Sequence, residues 1–108
     1  MLRNALLIVC LTLAALTAQG PPAAKITIKN FAFDPPALTV SVGTEVEWTD
    51  EAGKHSVVAD DGSFKSDALT AGGSFKHKFT RPGVFRYYCE FHGSKGGHDM
   101  AGTITVSK

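Results

Sequence analysis

Apolar and polar residues alternate along most of the chain beyond residue 24, as in Lys25-Ile26-Thr27-Ile28-Lys29, Leu38-Thr39-Val40-Ser41-Val42 and Glu45-Val46-Glu47-Trp48. A period of two is that of a strand with one buried face, because successive side chains of an extended chain point to opposite sides. The same pattern predicts strands over 55–59, 74–80, 84–90 and 103–106, and turn signals separate them at Pro35-Pro36, Gly43, Asp61-Gly62, Gly72-Gly73 and Pro82-Gly83. No stretch has the period of a long amphipathic helix. About seven short strands with regular turns predict an all-β fold, a two-sheet Greek-key β-sandwich. Parity on the strand over 84–90 puts Phe85, Tyr87 and Cys89 on the inner face and Tyr88 on the outer one. His77, in line with Phe75 and Phe79, is expected at the edge of the core, its ring nitrogens satisfied locally rather than bound to a metal.

The first 20 residues break this pattern. Met1-Leu2-Arg3-Asn4 is a short positive start, and Ala5 to Leu16 is apolar except for Thr12. Such a run is too short to span a bilayer and predicts a secretory signal over 1–20. Ala18-Gln19-Gly20 is a small-x-small cleavage site, while Pro21 beyond it would hinder a peptidase, so the cut could fall as late as Ala24. Cys10 is disfavoured as a lipid anchor because Val9 is bulky for such a site and the apolar run continues past it. Residues 25–108 then form one domain of an exported protein, periplasmic or extracellular, with no membrane span once the signal is removed.

Charge narrows the function. Eleven Lys and Arg oppose ten Asp and Glu, and setting Arg3 aside leaves ten against ten. Nucleic-acid or membrane-surface binding would call for a basic patch, which this balance disfavours. Without the signal the chain keeps one cysteine, Cys89, and one methionine, Met100, so no internal disulfide can form. An exported domain of about 85 residues usually needs a disulfide or a metal to hold it together.

Cys89, His92 and Met100 lie close together near the C-terminus, and His55 precedes Cys89 by 34 positions. One thiolate, two imidazoles and one thioether are the donors of a mononuclear electron-transfer copper site, whose soft sulfur ligands favour copper. A structural zinc site would draw on further Cys or His and would not select Met. Singly, each residue has an ordinary alternative: an inert buried thiol, loop histidines, a methionine filling the core. A thiol hydrolase built on Cys89 and a histidine base is disfavoured by the inward-facing Cys and the lack of a recognisable oxyanion site.

The chain resembles the small blue copper proteins, or cupredoxins, most closely the plastocyanin, amicyanin and pseudoazurin group. The resemblance spans nearly all of the mature chain. It rests on Phe31-Ala32-Phe33-Asp34-Pro35, on Gly43 to Trp48, on Asp50 to Val57, on Pro82 to His92 and on Met100 to Val106, in that order. It implies a cupredoxin-like sandwich holding one copper ion through His55, Cys89, His92 and an axial Met100. It also implies that Ser56 stands where relatives tie the two ligand segments together, although an ordinary strand serine is an equal reading, and that Tyr88 occupies a position through which some relatives pass electrons. The segment between His92 and Met100 is longer than in those relatives and holds Gly93, Gly96, Gly97 and His98. His98 could compete for the axial position; Met100 is favoured because it directly precedes the final strand. The implied function is one-electron transfer between transient redox protein partners of cytochrome or oxidoreductase type, by a monomer without enzymatic activity, electrons crossing at the exposed edge of His92. The alternative is a protein that binds or delivers copper without carrying electrons.

Overall fold

The computed structural model describes residues 22–108; the expected signal over 1–20 lies outside the described residues. Eight strands follow in order: β1 (Ala23–Lys29), β2 (Ala32–Asp34), β3 (Ala37–Ser41), β4 (Glu45–Asp50), β5 (Val58–Ala59), β6 (Ser74–Lys78), β7 (Gly83–Ser94) and β8 (His98–Ser107). They form two four-stranded sheets, ordered β2-β1-β4-β6 and β3-β8-β7-β5. The pairs β1·β4 and β3·β8 are parallel and the others antiparallel, so the chain crosses repeatedly between the layers of a β-sandwich. No described residue is helical.

Alternation builds the core. Ile26, Ile28, Val46 and Trp48 on one sheet and Phe85, Tyr87, Cys89, Ile104 and Val106 on the other are all buried. Trp48 is the hub: its ring lies 5.3 Å from Tyr87, 5.8 Å from Phe75 and 5.9 Å from Phe64. Removing so large a buried aromatic costs about 3–5 kcal/mol, because neighbours only partly collapse into the space. Gly102 faces the Tyr87 ring so closely that any Cβ there would overlap it. Burial pushes the Tyr87 hydroxyl well above its ordinary pKa, the opposing pull of the Trp48 indole being the smaller of the two, and neither polar atom completes a hydrogen bond.

The structure departs from the predicted strands in three places. Ala32–Asp34 supplies an eighth strand, β2, which pairs with β1 from Thr27 to Lys29. The strand predicted over 55–59 shrinks to Val58–Ala59 because His55, Ser56 and Val57 are buried in succession, against strand alternation, and the backbones of His55 and Val57 pair with Leu69 and Ser66 instead of with β7. His55 forms a bridge with Leu69, and Val57 bonds to Ser66 through both backbone and Oγ. The third departure is the Gly-rich stretch after His92, which lies outside the predicted strands: β7 and β8 extend through it as a hairpin, pairing Gly93 with Asp99 and Ser94 with His98. Its turn needs the positive φ of Gly96 (90°) and Gly97 (80°), a backbone conformation that side chains with a Cβ rarely adopt.

Candidate metal centre

The hairpin is irregular where chemistry gathers. Tyr88 pairs with Ala101 and Gly93 pairs with Asp99, so Cys89 to His92 on β7 stand opposite Met100 alone on β8. A bulge of this kind breaks the strict alternation of a strand and re-aims side chains. Cys89 keeps its inward parity and is fully buried, His92 swings to the end of the sandwich and is only partly covered, and Met100 is buried. Gly93 closes the bulge against β8, where a Cβ would stand 2.5 Å from the Met100 carbonyl oxygen.

His55 arrives from the other side of the site. Its backbone is fixed by reciprocal bonds with Leu69, N–H to O at 3.0 Å and back at 2.7 Å. The ring is buried, and Nε2 lies 2.9 Å from the Ala52 carbonyl oxygen. A carbonyl only accepts, so Nε2 carries the proton and Nδ1 is left with its lone pair. That Nδ1 lies 3.7 Å from Cys89 Sγ, and His92 Nδ1 lies 3.5 Å from the same sulfur. One ligand atom from each of His55, Cys89 and His92 falls within 4.8 Å of the other two.

The spacing suits a shared ion. Metal–sulfur and metal–nitrogen bonds of about 2.3 and about 2.0 Å, meeting at about 105–120°, hold their donor atoms about 3.4–3.7 Å apart. Both sulfur–nitrogen distances lie in that range. The thiol and the two imidazoles are the donors that copper prefers, with Met100 across the bulge as the nearby thioether.

Ser56 and Glu90, the residues after His55 and Cys89, meet directly: the Glu90 backbone N–H donates to Ser56 Oγ at 3.0 Å. His98 opens β8 as an exposed residue and is outside the donor group. His77 is also apart from it, half-buried with its ring 4.6 Å from Phe64 and 4.7 Å from Phe79. Tyr88 is half-buried on β7 and pairs with Val58 on β5.

Three contributors escape a reading by period. Phe31 covers the site edge-on, its ring 4.9 Å from His92 and 6.0 Å from His55, while 67% of its surface remains exposed. Asn30 and Phe31 both have positive φ, 53° and 56°, and this turn carries Phe31 away from buried Phe33. Asp60 Oδ2 accepts the Gly96 N–H at 2.9 Å and ties the hairpin turn to the strand beside β7. Asp50, buried at the end of β4, bonds into the turn that leads to His55. The Phe31-Ala32-Phe33 run and the segment from Asp50 stood out in sequence, but alternation alone would put both phenylalanines on one face and gives Asp50 no role; nothing singled out Asp60.

Sandwich and donor set together define a small copper-binding protein of the cupredoxin type. Residues 22–107 match the copper binding proteins of the plastocyanin/azurin family, and the chain belongs to that family. Copper is accordingly its cofactor. The chain is 42% identical to halocyanin of Natronomonas pharaonis over 83 residues, which cover 71% of this chain and 49% of halocyanin, so it spans about half the length of that relative. It is 36% identical to plastocyanin of Scenedesmus fuscus over 86 residues, 68% of this chain and 85% of that one. Among solved structures, a purple cupredoxin from Nitrosopumilus maritimus is similar with a TM-score of 0.68 at 32% identity, covering 78% of this chain and 99% of the other.

Proposed function

We propose that the protein is an exported, monomeric one-electron carrier whose single copper ion is held by His55, Cys89, His92 and, axially, Met100. Bound there, copper supplies a one-electron couple between Cu(I) and Cu(II). The observation that carries this reading is the convergence of His55 Nδ1 and His92 Nδ1 on the buried Cys89 sulfur. The protein's part is to keep these donors still. The bulge in β7, the Leu69 bridge and the Ser56–Glu90 bond fix three ligand segments to the sandwich, so a change of metal charge meets donors that need little rearrangement. Among the four, His92 alone is incompletely buried, which supports its edge as the point of electron entry and exit.

The rest of the reading follows from the same features. Transient redox proteins are the partners, docking briefly at the His92 end, and no substrate chemistry is required. A closed site with one thioether suits electron transfer better than copper delivery, for which open, Met- or His-rich sites are expected. Residues 1–20 serve as the export signal, and N-terminal sequencing of the mature protein tests that assignment.

The central test is the absorption spectrum of the copper-loaded protein. An intense visible thiolate-to-copper band is expected from the wild type and is abolished in Cys89→Ser, together with the thermal stabilisation that copper confers. A coloured Cys89→Ser protein would refute the ligand set. Rapid electron exchange with a small cytochrome, without transfer of the ion, separates the carrier from a copper donor.

A further inference from the structure

Asp50 is the one acidic residue among the described residues that is fully buried, at 0% exposure. Only half of its carboxylate is satisfied: Oδ1 accepts the Ala52 N–H at 2.9 Å, while Oδ2 is buried without a partner. Its backbone cannot shift to improve matters, since its N–H donates to the Gly73 carbonyl at 2.9 Å and its own carbonyl accepts from Gly72 at 2.7 Å. Burying an under-satisfied carboxylate is costly, and an apolar residue would fill a strand end more cheaply.

The compensation is found two residues on. Ala52 is held by Asp50 through its N–H and holds His55 through its carbonyl, which accepts the Nε2–H at 2.9 Å. Gly53, at a φ of 89°, lets this turn lie against the ring, where a Cβ would come within 3.0 Å of His55 Nε2. From these contacts we infer that Asp50 is the positioning residue of His55. By locking the turn it aims the Ala52 carbonyl, and the carbonyl fixes the ring so that Nδ1 faces the Cys89 sulfur. A histidine that binds a metal commonly donates its second N–H to a carbonyl or carboxylate, and losing such a partner weakens metal binding by about 10–100-fold. Here the carbonyl is the direct partner and the carboxylate stands behind it. This inference rests on the reading of His55 as a copper ligand.

The test compares Asp50→Ala with Asp50→Asn in the copper-loaded protein. Asn keeps an acceptor oxygen for the Ala52 N–H, and Ala does not. In Asp50→Ala, copper should pass to a chelator about 10–100-fold more readily, the visible band should shift, and the His55 Nε2–H of the Cu(I) form should exchange with solvent at least about tenfold faster by NMR. Asp50→Asn should return all three towards wild type. If the wild type shows the band while Asp50→Ala leaves all three unchanged, or if Asp50→Asn behaves like Asp50→Ala, the assignment is overturned. Should Asp50→Ala not fold, the reduced wild type decides: the Ala52 N–H and the His55 Nε2–H should open together. Exchange at Ala52 more than about 100-fold faster than at His55 refutes the coupling. A wild type with no band overturns the copper reading itself, and this assignment with it.

Discussion

The Ser56 hydroxyl accepts the backbone N–H of Glu90 at 3.0 Å, joining the residue after His55 to the residue after Cys89 across 34 positions of sequence. Ser56 is completely buried, which shields the acceptor side of this part-buried bond from water. It fixes the distance between an imidazole held by the Leu69 bridge and a thiol held on β7.

Ser56→Ala should therefore lower stability by about 1–2 kcal/mol, the usual result of stranding a part-buried N–H. It should also shift the copper band by loosening Cys89 relative to His55. Denaturant unfolding and absorption spectra of the copper-loaded protein measure both. A stability loss with no spectral change would confine the bond to a structural role.

Phe31 combines an aromatic contact with an unfavourable backbone. Its edge-on packing against His92 is worth about 0.5–1.5 kcal/mol, whereas a left-handed conformation costs a non-glycine residue about 1–2 kcal/mol. Phe31→Gly should leave stability within about 1 kcal/mol of wild type, because the two effects offset each other. It should nevertheless uncover the His92 ring and change the electron self-exchange rate, which NMR line broadening in mixtures of the two oxidation states measures. An unchanged rate would remove Phe31 from the electron-transfer face.

Met100 is buried opposite the bulge and His98 is exposed at the start of β8. Met100→Leu should retain copper but alter the spectrum and the reduction potential, since a weak axial thioether tunes the site more than it holds the ion. His98→Ala should change neither. The converse pattern, measured by cyclic voltammetry on both variants, would move the axial role to His98.

His77 gives a pH signature unconnected with the copper site. Its partial burial against Phe64 and Phe79 holds the imidazole below its ordinary value of 6.5, and the pull of Asp61 in the other direction is smaller. A histidine whose pKa is lowered by folding contributes stability above its unfolded value and loses it as the pH falls through the folded one. The advantage of wild type over His77→Gln should therefore be greatest at about pH 7.5 and shrink below about pH 6.5. Thermal unfolding of both proteins across that range measures it, and a constant difference would contradict the sign.

The two-sided strands, the sandwich they build and the four donor types are legible from the residues alone, because alternation is a local property and each face is read from neighbours two residues apart. Parity alone placed Phe85, Tyr87 and Cys89 inward, as the structure has them. Whatever depends on pairing between distant segments is set only when the chain folds. The bulge that sets Cys89 to His92 against Met100 exists only because β7 and β8 lose register between two regular stretches, and no local period announces it. The extra residues before Met100 likewise become a hairpin only once Ser94 finds His98 and Asp60 holds Gly96 from 36 positions away. Phe31 reaches His92 through two consecutive left-handed residues that alternation cannot foresee. The turn that aims His55 depends in the same way on a carboxylate whose burial is settled by the packing of the whole sandwich.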